Sequence, residues 1–131
     1  MNQAAQQDLG KLILRVTLGV LILLHGIAKV RFGLDPIAGM LQAHGLPVYL
    51  AYGALVGEVL APLLLILGLY ARIGAALVVV NMMSAFALAH MGQVMQLNEQ
   101  GGWALELQGM FLASALALLL LGPGKYSVNQ R

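Results

Sequence analysis

The sequence predicts an all-α fold: an integral membrane four-helix transmembrane bundle with both termini cytoplasmic. Three observations predict it. Charged residues make up 9% of the chain and hydrophobic ones 60%, against about a quarter charged in a soluble domain, so a water-facing globule could not be coated. Four apolar blocks, about 11–30, 48–69, 73–91 and 103–121, each come close to the roughly 20 residues a helix needs to cross the hydrocarbon core. Between them lie RFGLDPIAGMLQAHGLP, Tyr70-Ala71-Arg72 and GQVMQLNEQGG, which carry the glycines, prolines and polar residues of turns. The spans form one membrane domain over residues 1–131, and the alternating ten-residue pattern of a transmembrane β-barrel is missing.

The polar stretch MNQAAQQDLG leads into the first block. That block is too long for the apolar core of a signal peptide, holds Arg15, and has no small-residue cleavage site after it, so it reads as an uncleaved span. Cytoplasmic termini place Lys11, Arg72, Lys125 and Arg131 inside and Lys29 and Arg31 outside, the orientation a positive-inside bias favours. The protein is thus expected as a multi-pass protein of the bacterial inner membrane. GPGKYSVNQR, at the end, cannot continue a helix.

Polar residues inside the spans are the informative ones, because an ionisable group near the bilayer centre costs about 2.5–3.5 kcal/mol or more and normally turns inward and pairs. At 1.5 Å per residue, Arg15 lies roughly 9 Å to the cytoplasmic side of the midplane. Glu58 and Asn81 lie near the middle, His25, Glu106 and Gln108 in the outer half, and Lys29 and His90 near the outer interface. In the first span Arg15, Gly19, Ile22, Gly26 and Lys29 recur at steps of four and three and share one helical face. His25 flanks that face. Lys29 and Arg15 can instead snorkel to the two headgroup layers.

The second span carries GALVGEVLAP, with Gly53, Gly57 and Ala61 as a small-residue surface and Glu58 beside it. Pro62 lacks the N–H that would bond the carbonyl of residue 58, so a helix break is expected there. It offers a carboxyl group and a freed carbonyl, which a membrane tolerates only where protein or a cavity satisfies them. Two readings follow: a structural ion pair of Arg15 or His25 with Glu58, or a carboxyl that binds or exchanges a proton with a ligand. In the fourth span Glu106, Gly109, Ala113 and Ala117 make a second small stripe, with Glu106 placed to meet Lys29 or His90. Gln108 lies about 200° from Glu106 around the helix, so the two cannot share one pocket. Asn81 and His90 are half a turn apart and face the same objection. Trp103 fits an interfacial belt.

Several chemistries are excluded or unsupported. With no cysteine there is no disulfide, thiol relay or thiolate-held cluster. No phosphate loop, dinucleotide fingerprint or H-E-x-x-H is present. The histidines at 25, 44 and 90 stand singly, in no metal or haem spacing, and the net charge of +2 gives no reason to expect nucleic acid.

LILRVTLGVLILLHGIAKV, the GLP before the second span and GEVLAPLLLILGLYARIGAAL resemble the DoxX family of small bacterial membrane proteins. GGWALELQG and the closing GPGKYS continue the resemblance in the same order, with SVN at 127–129 where the family often has Ser-Leu-Asp. The resemblance implies a four-helix inner-membrane bundle, and a context in which members act as membrane subunits of thiosulfate:quinone oxidoreductase or as partners of redox-protective proteins. The first functional expectation is therefore a redox-linked oxidoreductase subunit. A polar intramembrane site of Arg15, His25, Lys29, Glu58, Asn81, His90 and Glu106 would serve a quinone or similar amphiphile, with no covalent cofactor. Quinone reduction consumes two protons, which a carboxyl and an imidazole can supply. Electrons would come from a partner redox protein, since this chain shows no redox centre. The alternatives are a non-catalytic membrane anchor or scaffold for soluble redox enzymes, and a small transporter, which four helices could form only as a homo-oligomer.

Overall fold

The computed structural model describes residues 2–87, 96–97, 99–129 and 131. Apart from a single antiparallel bridge between Leu97 and Trp103, its described elements are helices. Helix α1 spans Gln3–Phe32, so the polar leader is helical and the first block begins earlier than its apolar run. The Asn2 side chain caps it by accepting from the Ala5 N–H at 2.8 Å. Thirty residues give roughly 45 Å of helix, longer than the hydrocarbon core, so its polar first turns project beyond it. Gly33, at φ +92°, ends it and returns its N–H to the Lys29 carbonyl at 2.9 Å.

Part of the Pro- and Gly-containing break after α1 folds into a short helix, α2 (Asp35–Ala43). Pro36 stands in its first turn, where the missing N–H has no helical partner to lose. The next segment, α3, runs Val48–Leu67. It opens as a 3-10 turn over Val48–Ala51, after Pro47, and holds a π-turn over Val56–Leu60 in which the Ala61 N–H reaches back to the Val56 carbonyl. The break expected at Pro62 thus takes the form of an inserted residue rather than a kink, and it lies on the N-terminal side of the proline. Gly68 closes α3 in the left-handed conformation (φ +70°, ψ +29°), with the Leu69 N–H on the Leu64 carbonyl at 3.0 Å.

Helix α4 is Ala71–Ala85, and the last part of the third predicted span lies outside the described residues. Helix α5 is Glu106–Leu121 and starts three residues later than the apolar block. Contacts run from α1 to α3, α3 to α4, α4 to α5 and α5 back to α1, closing a ring around one apolar core. That core includes Leu18, Ile22, Leu65, Val78, Phe111 and Leu118.

Close approach is built with glycine. A methyl on Gly26 would overlap the backbone carbonyl of Glu58, and one on Gly19 would come within 3.0 Å of the Pro62 carbonyl oxygen. Gly74 is set against the Ala61 carbonyl in the same way. The buried face of α1, Arg15, Leu18, Gly19, Ile22 and Gly26, coincides with the expected stripe up to Gly26. On α5 the face differs. Phe111, Ala115 and Leu118 turn inward, whereas Ala113 is exposed and Gly109 lies under the Trp103 ring. Burying a phenylalanine and a leucine removes more apolar area than burying alanines, and that decides the rotation.

Helices α1 and α3 are long and apolar enough to cross a membrane, while α4 and α5 are shorter apolar helices. Outward-facing Ile13, Leu24, Ile27 and Leu120 are 59%, 58%, 51% and 80% exposed. On a soluble protein such surfaces would be a liability, but facing lipid they are at home.

Candidate functional site

The π-turn decides where the polar groups meet. Gly26 rests on the Glu58 carbonyl, which brings Lys29, three residues further along α1, alongside the Glu58 side chain. The Lys29 ammonium and the Glu58 carboxylate form a hydrogen-bonded ion pair, with Glu58 buried and Lys29 partly exposed. The expected partners for Glu58 were Arg15 or His25, and neither takes that place. Arg15 sits eleven residues before Gly26, roughly 16 Å away along α1, too far to reach the carboxylate. His25 is turned to the flank, with Nδ1 3.0 Å from the Leu21 carbonyl and its ring edge-on to Phe111 at 5.7 Å. A carbonyl oxygen only accepts, so this contact puts the proton of the neutral ring on Nδ1.

A cavity of about 620 Å³ opens beside the ion pair. His25, Lys29 and Glu58 line it on the α1–α3 side, and Asn81, Ser84 and Gln108 on the α4–α5 side. The remaining lining is largely aliphatic and includes Met40 and Leu41 of α2. No hydrogen bond among the described residues involves the side chains of Asn81, Ser84 or Gln108. Asn81 and Gln108 are half-buried and Ser84 is exposed, so their polar groups are open to whatever occupies the cavity. One wall therefore offers charge and an imidazole, and the facing wall offers neutral donors and acceptors. The volume falls within the range of pockets that hold a small organic ligand.

Four of the seven residues expected to form the polar site, His25, Lys29, Glu58 and Asn81, thus line one cavity. Arg15 does not join them. Its fully buried guanidinium donates to the carbonyls of Leu65 at 2.9 Å, Ile66 at 3.3 Å and Tyr126 at 2.5 Å. It closes the C-terminal end of α3, where helix carbonyls lack partners and carry partial negative charge, and fastens the segment after α5 onto it. Its Nε is buried without a hydrogen bond. The fastened segment is itself well bonded: Val128 and Asn129 donate to the carbonyls of Leu67 and Gly68, and the Asn129 side chain accepts from the Tyr70 N–H at 3.0 Å. That last bond helps hold Tyr70 at φ +47°.

Glu106 lies in the first turn of α5 and is not among the cavity residues; the expected meeting with Lys29 is replaced by Glu58. His90 lies outside the described residues. Gln108 and Ser84 were not expected in the site. Gln108 was detectable, because it precedes Phe111, Ala115 and Leu118 at steps of three, four and three, the inward face of α5. Ser84 follows Asn81 by three on α4 and shares its face. The G-x-x-x-G step divides as well. Gly57 packs against the Asn81 side chain, with a Cβ there 2.6 Å from its Cγ, whereas Gly53 lines the cavity with nothing within 4 Å.

Neither a curated protein nor a solved structure matches the chain. The family model described as DoxX matches residues 10–91, a stretch that contains Arg15, His25, Lys29, Glu58, Pro62 and Asn81. With more than half of its length matched, this membrane protein belongs to the DoxX family.

Proposed function

We propose that the protein is a multi-pass inner-membrane four-helix bundle, both termini cytoplasmic, which binds a quinone or similar amphiphile as a redox-linked membrane subunit. The observation that carries the reading is the two-walled cavity, with Lys29, Glu58 and His25 facing Asn81, Ser84 and Gln108. An amphiphile with polar atoms at both ends of its headgroup would satisfy both walls and leave its apolar part against the aliphatic lining. Glu58 and His25 are the groups suited to pass protons to it. Electrons come from a partner redox protein. The orientation is supported by charge. Lys11, Arg15, Arg72, Lys125 and Arg131 gather at one end, where the Lys125 backbone N–H donates to the Asp8 carboxylate and the Arg72 backbone N–H to the Arg131 carbonyl. Lys29 and Arg31 lie at the other.

The test is native mass spectrometry of the protein purified in mild detergent, with lipid extraction. We expect a stoichiometric quinone or related amphiphile in the wild type and its loss in Glu58→Gln at unchanged expression. An empty wild-type bundle would refute the reading. It would favour a non-catalytic membrane scaffold, for which the existing Lys29–Glu58 bond already supplies a structural use of both charges.

A further inference from the structure

The walls of the cavity are not equally fixed. Its α1, α3 and α4 sides are clamped by close glycine contacts: a methyl group would overlap the Glu58 carbonyl at Gly26 and the Asn81 side chain at Gly57, and would sit tightly, at 3.0 Å, on the Ala61 carbonyl at Gly74. The α5 side, with Gln108 and Phe111, packs along α4, and the last side is α2, which contributes Ile37, Met40 and Leu41 to the lining. Among the described elements α2 packs on the first turn of α3 and has no comparable contact with any other helix. It hangs between two glycines at positive φ, Gly33 (+92°) and Gly45 (+69°), and neither has another atom within 4 Å of the space a Cβ would fill. Yet Leu41 is only 3% exposed, so the helix is seated on its apolar side.

We infer that α2 is a lid that swings on Gly33 and Gly45, and that the occupant of the cavity enters and leaves beneath it. The inference takes the occupant from the amphiphile reading but rests on its own geometry. A lid needs a seated apolar side, a hinge at each end and a rigid frame to close against; Leu41, the positive-φ glycines that cap α1 and α2, and the glycine contacts of the other helices supply them. The route lies at the end of the molecule opposite Arg15, where α1 ends and α5 begins. An amphiphile lying with its headgroup at the interface would meet the lid there, without crossing the ring of helices.

The absence of cysteine makes the test clean, since every thiol is one that is introduced. Leu41→Cys and Leu105→Cys place single thiols at positions 3% and 1% exposed, the second at the start of α5 at the same end of the molecule. We expect a water-soluble maleimide to label Leu41→Cys in detergent at least tenfold faster than Leu105→Cys. Equal rates would overturn the lid. In a second arm, Gly39→Cys on α2 with Tyr49→Cys on the first turn of α3, both exposed and outside the lining, is bridged by a bis-maleimide, and exchange of bound decylubiquinone is followed. We expect bridging to slow exchange at least tenfold while the amount bound at saturation stays the same. Unchanged exchange would overturn the lid. A wild type that binds no decylubiquinone would instead count against the amphiphile reading, with the labelling ratio still deciding whether α2 opens.

Discussion

Replacing Gly26 by alanine places a methyl group where α1 meets the π-turn of α3. Alanine is about 1 kcal/mol better than glycine inside a helix, so the exchange would stabilise α1 if the site were open. It is not open. The added carbon would overlap the Glu58 carbonyl and come 2.9 Å from a Val59 methyl. The nearest obstacle is backbone, which cannot rotate aside as a side chain can. The two helices must separate, at a cost of about 1–3 kcal/mol or more for overpacking a close contact. Separation also pulls Lys29 from Glu58. We therefore expect a net loss of about 1–2 kcal/mol after the propensity gain. Gly53→Ala, with nothing within 4 Å, should be neutral or stabilising by about 0.5–1 kcal/mol. Reversible unfolding in mixed micelles, titrated with a denaturing detergent, measures both. If Gly26→Ala were as stable as Gly53→Ala, the close α1–α3 contact would be wrong.

Three other perturbations probe the remaining links. Lys29→Met should destabilise more than the double variant with Glu58→Gln, because it strands the buried Glu58 carboxylate, whereas Glu58→Gln leaves a partly exposed ammonium and costs less; a double-mutant cycle with no coupling would show the ion pair to be idle. Arg15→Ala removes the donor to two carbonyls at the end of α3 and to that of Tyr126, and we expect a loss of at least ~2 kcal/mol. The same change should speed proteolysis at Lys125, and an unchanged cleavage rate would show that Arg15 does not hold the segment down. Pro62→Ala restores an N–H for the Glu58 carbonyl, so the π-turn can anneal into regular helix and rotate Glu58 by about 100°. The variant should stay folded yet lose the retained amphiphile in native mass spectrometry; full retention would mean the π-turn does not place the site.

Much of this architecture is written in the spacing of a few residues. Arg15, Gly19, Ile22 and Gly26 declare the inner face of α1 because helical periodicity and the cost of charge in lipid point the same way. Pro62 announces a disturbed helix before Ala61, though not that the chain resolves it with a π-turn. The choice between kink and inserted residue depends on what Gly26 presses against, which is a tertiary fact. The same holds for charge pairing. Depth alone pointed Arg15 or His25 at Glu58 and Lys29 at Glu106, and only the α1–α3 register gives Lys29 to Glu58. On α5 a stripe of small residues suggested one face and the apolar bulk of Phe111 and Leu118 chose another. Arg15 is the largest surprise. Carbonyls at a helix end serve as its partners, and no sequence pattern distinguishes them from other backbone groups.

That arrangement bears on how the protein is made. The Leu65 carbonyl that receives the Arg15 guanidinium is 50 residues downstream, and the Tyr126 carbonyl is 111 residues downstream. At about 5–20 residues per second of synthesis, the first helix waits several seconds for one partner and longer for the other. During that interval its cation has only water or headgroups to serve it. Insertion and completion are therefore separate events for this chain. A ribosome stalled after the second long helix would leave α1 sitting shallow, with Arg15 drawn toward the nearer headgroups, and its final depth would be reached only when the segment around Tyr126 arrives.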